Sequence, residues 1–275
     1  MDAMIEHIRM NNVQRFTGYG TLYDENRPTA PQEVVKLVTT YLRRKPQTVV
    51  DVGCGTGLST FLWLNEAERV IGIEPGDDMR AVALAKWEAI GKPDKLQFVK
   101  GFSHQLALPS ASADIVTCSQ SFHWMEPQST LREFARVLRP GGVFAAYDCD
   151  WPPAFDWKIE EQYLRLAALG DARMAELAPD EQQARKWNKN EHLQRIRESG
   201  LFRYSREIVF HHWEMCDAAR YANIAFSLGG LQTALKLGAD ELHAEVAAFR
   251  ELVAQAFADE ERPVLFCYRM RLGIV

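Results

Sequence analysis

Cysteine is scarce in this sequence: five residues, at positions 54, 118, 149, 216 and 267, stand far apart, and none has the spacing of a metal-binding pair. An odd number of scattered cysteines without an export signal is expected to stay as reduced thiols packed like small hydrophobes, with Cys149 alone close to a candidate pocket. Long apolar runs are missing too. The opening residues, Met-Asp-Ala-Met-Ile-Glu-His-Ile-Arg, break each apolar stretch with charge, and no later stretch reaches the length of a membrane span. A soluble cytoplasmic protein is therefore expected. There is no basic excess either: the net charge is −5 and the pI near 5.9, so an electrostatic footprint for a nucleic-acid backbone is lacking and no nucleic-acid partner is expected. Internal repeats and low-complexity segments are absent. What remains is a 275-residue chain with 47% hydrophobic residues, enough for one α/β core with insertions.

The most informative stretch is residues 49–57, Val-Val-Asp-Val-Gly-Cys-Gly-Thr-Gly, an apolar strand running into three alternating glycines. A backbone without Cβ atoms can turn sharply, approach a ligand and open a helix whose free N–H groups face an anionic group. The spacing of Gly53, Gly55 and Gly57 is G-x-G-x-G with Asp51 just ahead, unlike the G-x-G-x-x-G of dinucleotide binders, which favours S-adenosylmethionine (SAM) over NAD. A second short strand, residues 69–73, ends at Glu74, seventeen residues beyond Gly57. A carboxylate at that strand tip can accept hydrogen bonds from both ribose hydroxyls of an adenosine.

Hydrophobic periodicity predicts alternating elements: a helix over 31–43, strands at 48–52, 69–73, 96–100, 113–119 and 142–149, and helices at 58–66, 77–90 and 129–138. This alternation indicates a parallel sheet with helices on both faces and a crevice beyond the carboxyl ends of the first and fourth strands. After Trp-Pro-Pro at 151–153 the alternation stops. Residues 156–199 read as helical, 204–213 as a strand, 217–258 as helical and 264–272 as a last strand.

With Asp51 to Gly57, Ile73-Glu74-Pro75, Asp114-Ile-Val, Phe122-His-Trp and Leu138-Arg-Pro-Gly-Gly in order, the chain resembles the class I SAM-dependent methyltransferases, and within them the small-molecule, trans-aconitate methyltransferase-like branch. The resemblance covers residues 12–150 well. It implies a Rossmann-like sheet, mostly parallel with an antiparallel last strand, plus helical cap insertions. The organisation it suggests is a lid over 1–30, a SAM-binding core over 31–150 completed by 199–213 and 263–275, and helical insertions at 151–198 and 214–262. It further implies that the Gly53–Gly57 backbone lies along the methionine part of SAM, that Glu74 holds the ribose, that Phe102 and Ser103 bracket the adenine, and that Ser119, Gln120 and His123 stand beside the sulfonium and the acceptor. Asp51, Cys54, Pro75 and Met79 complete the implied cofactor-binding set. Tyr23 and Arg27 would act from the lid, by cation–π attraction to the sulfonium and by holding a carboxylate.

Methyl transfer from a sulfonium is an in-line displacement that asks mainly for alignment and exclusion of water, with no metal, and for a base only when the acceptor is a weak acid. His123 is the candidate base; its alternative is a structural histidine bonded to a loop. His104 is a weaker candidate, and His211 and His212 alternate on a late strand and read as solvated or structural. Trp124, Trp151 and Tyr19 are candidates for the substrate pocket, with Trp157 and residues 221–230 less so, since aromatic residues at helical spacing are more often core. The leading expectation is a SAM-dependent enzyme that methylates a small molecule at oxygen or nitrogen. Two other classes stay open: a SAM-binding protein that does not methylate, and a nicotinamide-dependent oxidoreductase on a similar sheet.

Overall fold

The structure is a computed structural model that describes residues 2–18, 20–179 and 184–275. Seven strands form one sheet in the order β3-β2-β1-β4-β5-β7-β6. β1 (Thr48–Val52), β2 (Arg69–Ile73), β3 (Leu96–Val99), β4 (Ala113–Ser119) and β5 (Leu138–Ala154) pair in parallel, and β7 (Arg262–Ile274) runs against both β5 and β6 (Tyr204–Cys216). The expected architecture, mostly parallel with antiparallel last strands, is present. The central strands are buried on both faces, which is why they read as continuous Val/Ile runs instead of alternating.

Helices cover both faces. On one, α3 (Glu33–Leu42) and α4 (Asp77–Ala89) join α6 (Trp157–Leu177), α8 (Ala218–Phe226), α9 (Gly229–Lys236) and α10 (Leu242–Phe257) in a core with Val49, Val70, Ala145 and Phe266. On the other, α5 (Pro127–Val137) and α7 (His192–Glu198) pack over Val50, Val116 and Phe144. The N-terminal α1 (Asp2–Gln14) and α2 (Gly20–Asn26) lie over the carboxyl ends of the strands, α2 tied to α4 by a 2.6 Å Lys86–Asp24 ion pair.

Three expectations about the elements need correction. Residues 58–66 form turns around one short 3-10 segment, Phe61–Trp63, instead of an α-helix: the Ser59 and Thr60 hydroxyls donate to the buried Asp51 carboxylate at 2.6 and 2.7 Å and draw the chain back onto β1. β5 does not stop at Cys149 but runs through both prolines. They stand where the β5–β7 register shifts between Asp150 and Ala154, so their missing N–H groups break no ladder bond. α7 does not travel with α6; its Ile196 packs beside Phe134 and Phe202 on the α5 face.

The strands differ in length by design of the sequence. Tyr147 on β5 pairs with the last residue of β4, so residues 148–154, with the facing parts of β7 and β6, overhang the shorter strands. That overhang carries Asp148 and Trp151 past the ends of the shorter strands, and α6, α8, α9 and α10 pack against it and one another.

Candidate functional site

The crevice lies beyond the carboxyl ends of β1, β2 and β4 and continues under α1 and α2. Its lining brings together Tyr23, Arg27, Gly53, Cys54, Gly55, Glu74, Pro75, Met79, Phe102, Ser103, Ser119, Gln120, Trp124 and Trp151, residues from six separate stretches of chain. Two glycines show why the loop needs them. Gly53 has φ +66° and a Cβ there would stand 2.7 Å from the Ser121 Cβ; at Gly55, with φ +56°, a Cβ would meet Met79 at 3.2 Å.

The loop works differently from an amide cradle. The Gly53 and Cys54 N–H groups donate to the Ile73 carbonyl, and Gly55 N–H donates to Glu74 Oε2 at 2.9 Å. Close approach to a ligand comes from the missing Cβ atoms. Glu74 also accepts from Gly76 N–H at 2.7 Å, leaving each oxygen one lone pair for a ligand hydroxyl. Burial pushes its pKa up to about 7, the Gly76 and Gly55 N–H groups and Arg80 opposing.

Asp51 and Gly57 do not line the cavity. Asp51 is fully buried beneath the loop, where Ser59, Thr60 and Thr117 hydroxyls donate to its carboxylate; burial raises its pKa and these bonds oppose the rise. It anchors the loop to β1 and β4. Tyr19 lies outside the described residues. Cys149 is buried with its thiol on the Asp150 carbonyl, and burial pushes its pKa up. Trp157 is 68% exposed on α6 and faces away from the crevice, and Tyr221 is a core residue whose hydroxyl donates to the Pro153 carbonyl. His211 is exposed on β6 and His212 faces Glu33 at 3.7 Å, both away from the crevice. His104 does line it, against the Phe102 ring, with a pKa lowered by desolvation and by Arg9.

A second cavity adjoins the first. Phe16, Tyr23, Arg27, Gln120, Trp124 and Trp151 line both, and His123 lines only the second. Arg27 lies at the junction, its guanidinium over the Trp151 ring at 4.7 Å and the Tyr23 ring at 5.4 Å, with Nη2 donating to the Ser227 carbonyl. His123 is buried, its Nδ1 3.4 Å from Asp148 Oδ1. Burial and Lys189 bring its pKa down to about 4 against the pull of Asp148, so the ring is neutral at pH 7 with its proton toward Asp148. Burial alone would raise the pKa of Asp148; His123 and Lys189, whose Nζ is 2.8 Å away, hold it well below the carboxylate range instead. Arg271 approaches the same carboxylate at 3.5 Å. His192 comes near enough to His123 and Asp148 for three ligand atoms to lie within 4.8 Å, but the two cations already on Asp148 make this an ion-pair network.

Sequence reasoning missed Asn12, Lys189 and Tyr268. Asn12 is buried on α1, donates to the Trp124 and Arg185 carbonyls and accepts from Arg185 N–H, fastening α1 over the crevice. A polar residue on the buried face of a helix was the available signal. Tyr268 reaches the lining from β7, where nothing local marks it.

Residues 50–146 match the family model described as a methyltransferase domain. Residues 50–146 thus carry a methyltransferase domain on a sheet with the fold of a solved methyltransferase structure, and SAM is the cofactor of such domains. The glycine loop and Glu74 fit such a group: the first leaves room a Cβ would fill, and the second keeps lone pairs inside the cavity. Among relatives, a protein described as a probable SAM-dependent methyltransferase of Saccharomyces cerevisiae is 27% identical over 45% of this chain and 43% of its own length. A sterol 24-C-methyltransferase of Pneumocystis carinii is 34% identical over 38% of this chain and 28% of its own length. The chain thus spans about half the length or less of the curated relatives it matches. A structure solved as a candidate type II methyltransferase from Anaeromyxobacter dehalogenans shares the fold at TM-score 0.64 and 20% identity, over 90% of this chain and 97% of that one. No described helix is long and apolar enough to cross a membrane.

Proposed function

We propose that the protein is an enzyme that transfers the SAM methyl group to a small molecule by in-line displacement, at oxygen or nitrogen. The observation that carries this reading is the second cavity, which shares the Gln120–Trp124–Trp151 wall with the cofactor crevice and gives an acceptor a place to align with the methyl carbon. In this reading Gly53, Gly55, Glu74, Met79, Phe102 and Ser103 hold the cofactor, Tyr23 faces its sulfonium and Arg27 its carboxylate. Residues 1–30 act as a lid, and the helical parts of 151–198 and 214–262 shape the acceptor pocket. SAM, when bound, supplies the electrophilic methyl; the chain's own residues exclude water and orient the acceptor.

His123, its tautomer set by Asp148, offers an Nε2 lone pair on the acceptor side. A ring that titrates near 4 is a weak base, so its part is to take a hydroxyl proton late in transfer. Incubating the protein with cell extract and isotopically labelled SAM, then reading mass shifts, identifies the acceptor; absence of any labelled product refutes the enzymatic reading. On an identified hydroxyl acceptor, His123→Ala should lower turnover about 10²-fold with unchanged SAM affinity. A wild-type rate that stays flat above pH ~5 fits the low pKa.

A further inference from the structure

The two edges of the sheet are unequal. β3, at one end, offers an edge of only four residues. β6, at the other, is thirteen residues long, and β7 pairs with it from Tyr204 to Cys216 without a register shift. Every second residue of β6 therefore turns its N–H and C=O away from β7, and among the described residues no strand pairs with them. Such an edge is a template for another strand, and proteins commonly blunt it by brevity, proline, lysine or a bulge. The segment Tyr-Ser-Arg-Glu-Ile-Val-Phe-His-His-Trp-Glu-Met-Cys has none of these. Its side chains agree with its backbone: Val209, Trp213 and Met215 alternate onto one face and are 53, 61 and 53% exposed, an apolar row of the kind that marks an interaction surface.

A second copy of the chain fits this edge in one register. When two β6 strands run antiparallel about a two-fold axis through Phe210, each residue faces the one equally far beyond Phe210 in the other copy. Arg206 then faces Glu214 of the second copy, and the symmetry makes that pair twice. Val209 stands opposite His211 of the second copy, with the large Trp213 ring diagonally beside Val209. Neighbouring registers lose the match. An axis through His211 sets Glu214 opposite Ile208, one through His212 sets it opposite Phe210, and one through Val209 sets Arg206 opposite His212.

Both charged groups are able to make the contact. Arg206 is exposed, and its partner within the chain is the neutral Tyr41 hydroxyl at 3.0 Å. Glu214 pairs with Arg220, and a carboxylate has lone pairs for a second cation. The contact is also large enough. At about 3.4 Å per residue the edge is about 44 Å long, and the Val209, Trp213 and Met215 side chains widen the strip toward the ~800 Å² that each partner of a stable complex buries. β5 and β7 separate β6 from β4, so pairing at this edge is compatible with an open crevice.

We propose that β6 is a dimerisation edge, at which two copies of this chain pair their β6 strands antiparallel about Phe210 and join their sheets into one. Sedimentation velocity on the full chain, from about 1 to 100 µM, should show a species of twice the 31.3 kDa of one chain. Arg206→Glu places like charges opposite each other at two symmetric positions and should raise the dimer dissociation constant about tenfold or more, with the circular dichroism of the monomer unchanged. The register has its own test. In the double variant Val209→Cys and His211→Cys, each new thiol faces the other residue's thiol in the second copy at a Cα separation of about 4.5–5.5 Å, within disulfide range. Mild oxidation should link two chains on a non-reducing gel, and far less in either single variant. A protein that stays at 31.3 kDa throughout leaves the edge to a strand of some other protein and overturns the proposal. A dimer that tolerates Arg206→Glu, or one whose double-cysteine variant does not cross-link, overturns it as well.

Discussion

The two halves of the sheet are built on different principles. In the half formed by β3, β2, β1 and β4 the strands are short, each ends at the crevice, and the groups facing it come from the residues that follow each strand: Gly53 and Gly55 after β1, Glu74 after β2, Phe102 and Ser103 after β3, Gln120 after β4. In the half formed by β5, β7 and β6 the strands overhang, and the second cavity is assembled from the turn after α1, α2, α9, the turn after β4, Trp151 of β5 and residues 186–189. In the proposed reading the first half places a cofactor by local geometry and the second an acceptor by packing, and the contents of the second can change while the first stays as it is.

Breaking the network that joins the halves should have the largest effect. Asp148→Ala removes the carboxylate shared by His123, Lys189 and Arg271 and leaves buried charge without its partner; unfolding in denaturant should show a loss of about 3 kcal/mol. An unchanged midpoint would mean that the halves are stabilised independently. Gly53→Val attacks the cofactor half alone. The clash with Ser121 and the left-handed φ together cost about 2–4 kcal/mol, and calorimetry should find S-adenosylhomocysteine binding weakened about 10²-fold.

Glu74→Gln should weaken the same binding by about 1.5–3 kcal/mol at pH 8, where the wild-type carboxylate is ionised. Its pH dependence gives a sharper reading. Folded Glu74 titrates at about 7 against 4.5 in the unfolded chain, so the folded state keeps a proton that the unfolded chain has released. Its stabilising contribution is therefore full below pH 4.5 and is lost as pH rises to about 7, by at most about 3 kcal/mol. Glu74→Gln should flatten that part of the stability curve, while cofactor affinity of the wild type rises over the same window. A wild-type curve that climbs between these pH values would contradict the assignment.

Trp151→Ala tests the acceptor half. It removes the ring under Arg27 and should raise the acceptor KM about tenfold while cofactor affinity changes less than about threefold. Equal losses on both would show one undivided cavity. The smallest effect belongs to His211→Ala on exposed β6, which should leave both binding and turnover intact and change stability by less than about 0.5 kcal/mol.

By itself the sequence determined which residues after β1, β2 and β3 meet at the crevice, because each of those signals is local. An apolar strand, glycines at fixed offsets and a carboxylate at the next strand tip interact over a single βαβ unit, and the spacing along the chain is the spacing in space. Even there, the use of Gly53, Cys54 and Gly55 N–H groups by Ile73 and Glu74 depended on how β2 ends beside β1. Only the tertiary structure decided that Asp51 is a buried anchor, that β5 passes through two prolines and that Trp157 faces outward. It alone brought Arg15, Lys186 and Gly229 to one cavity wall. Arg15 and Gly229 lie more than two hundred positions apart, and no period or motif relates these residues. Their meeting depends on how α1 closes over the crevice through Asn12 and how α9 packs on α6, long-range contacts that leave no regular trace in the order of the amino acids.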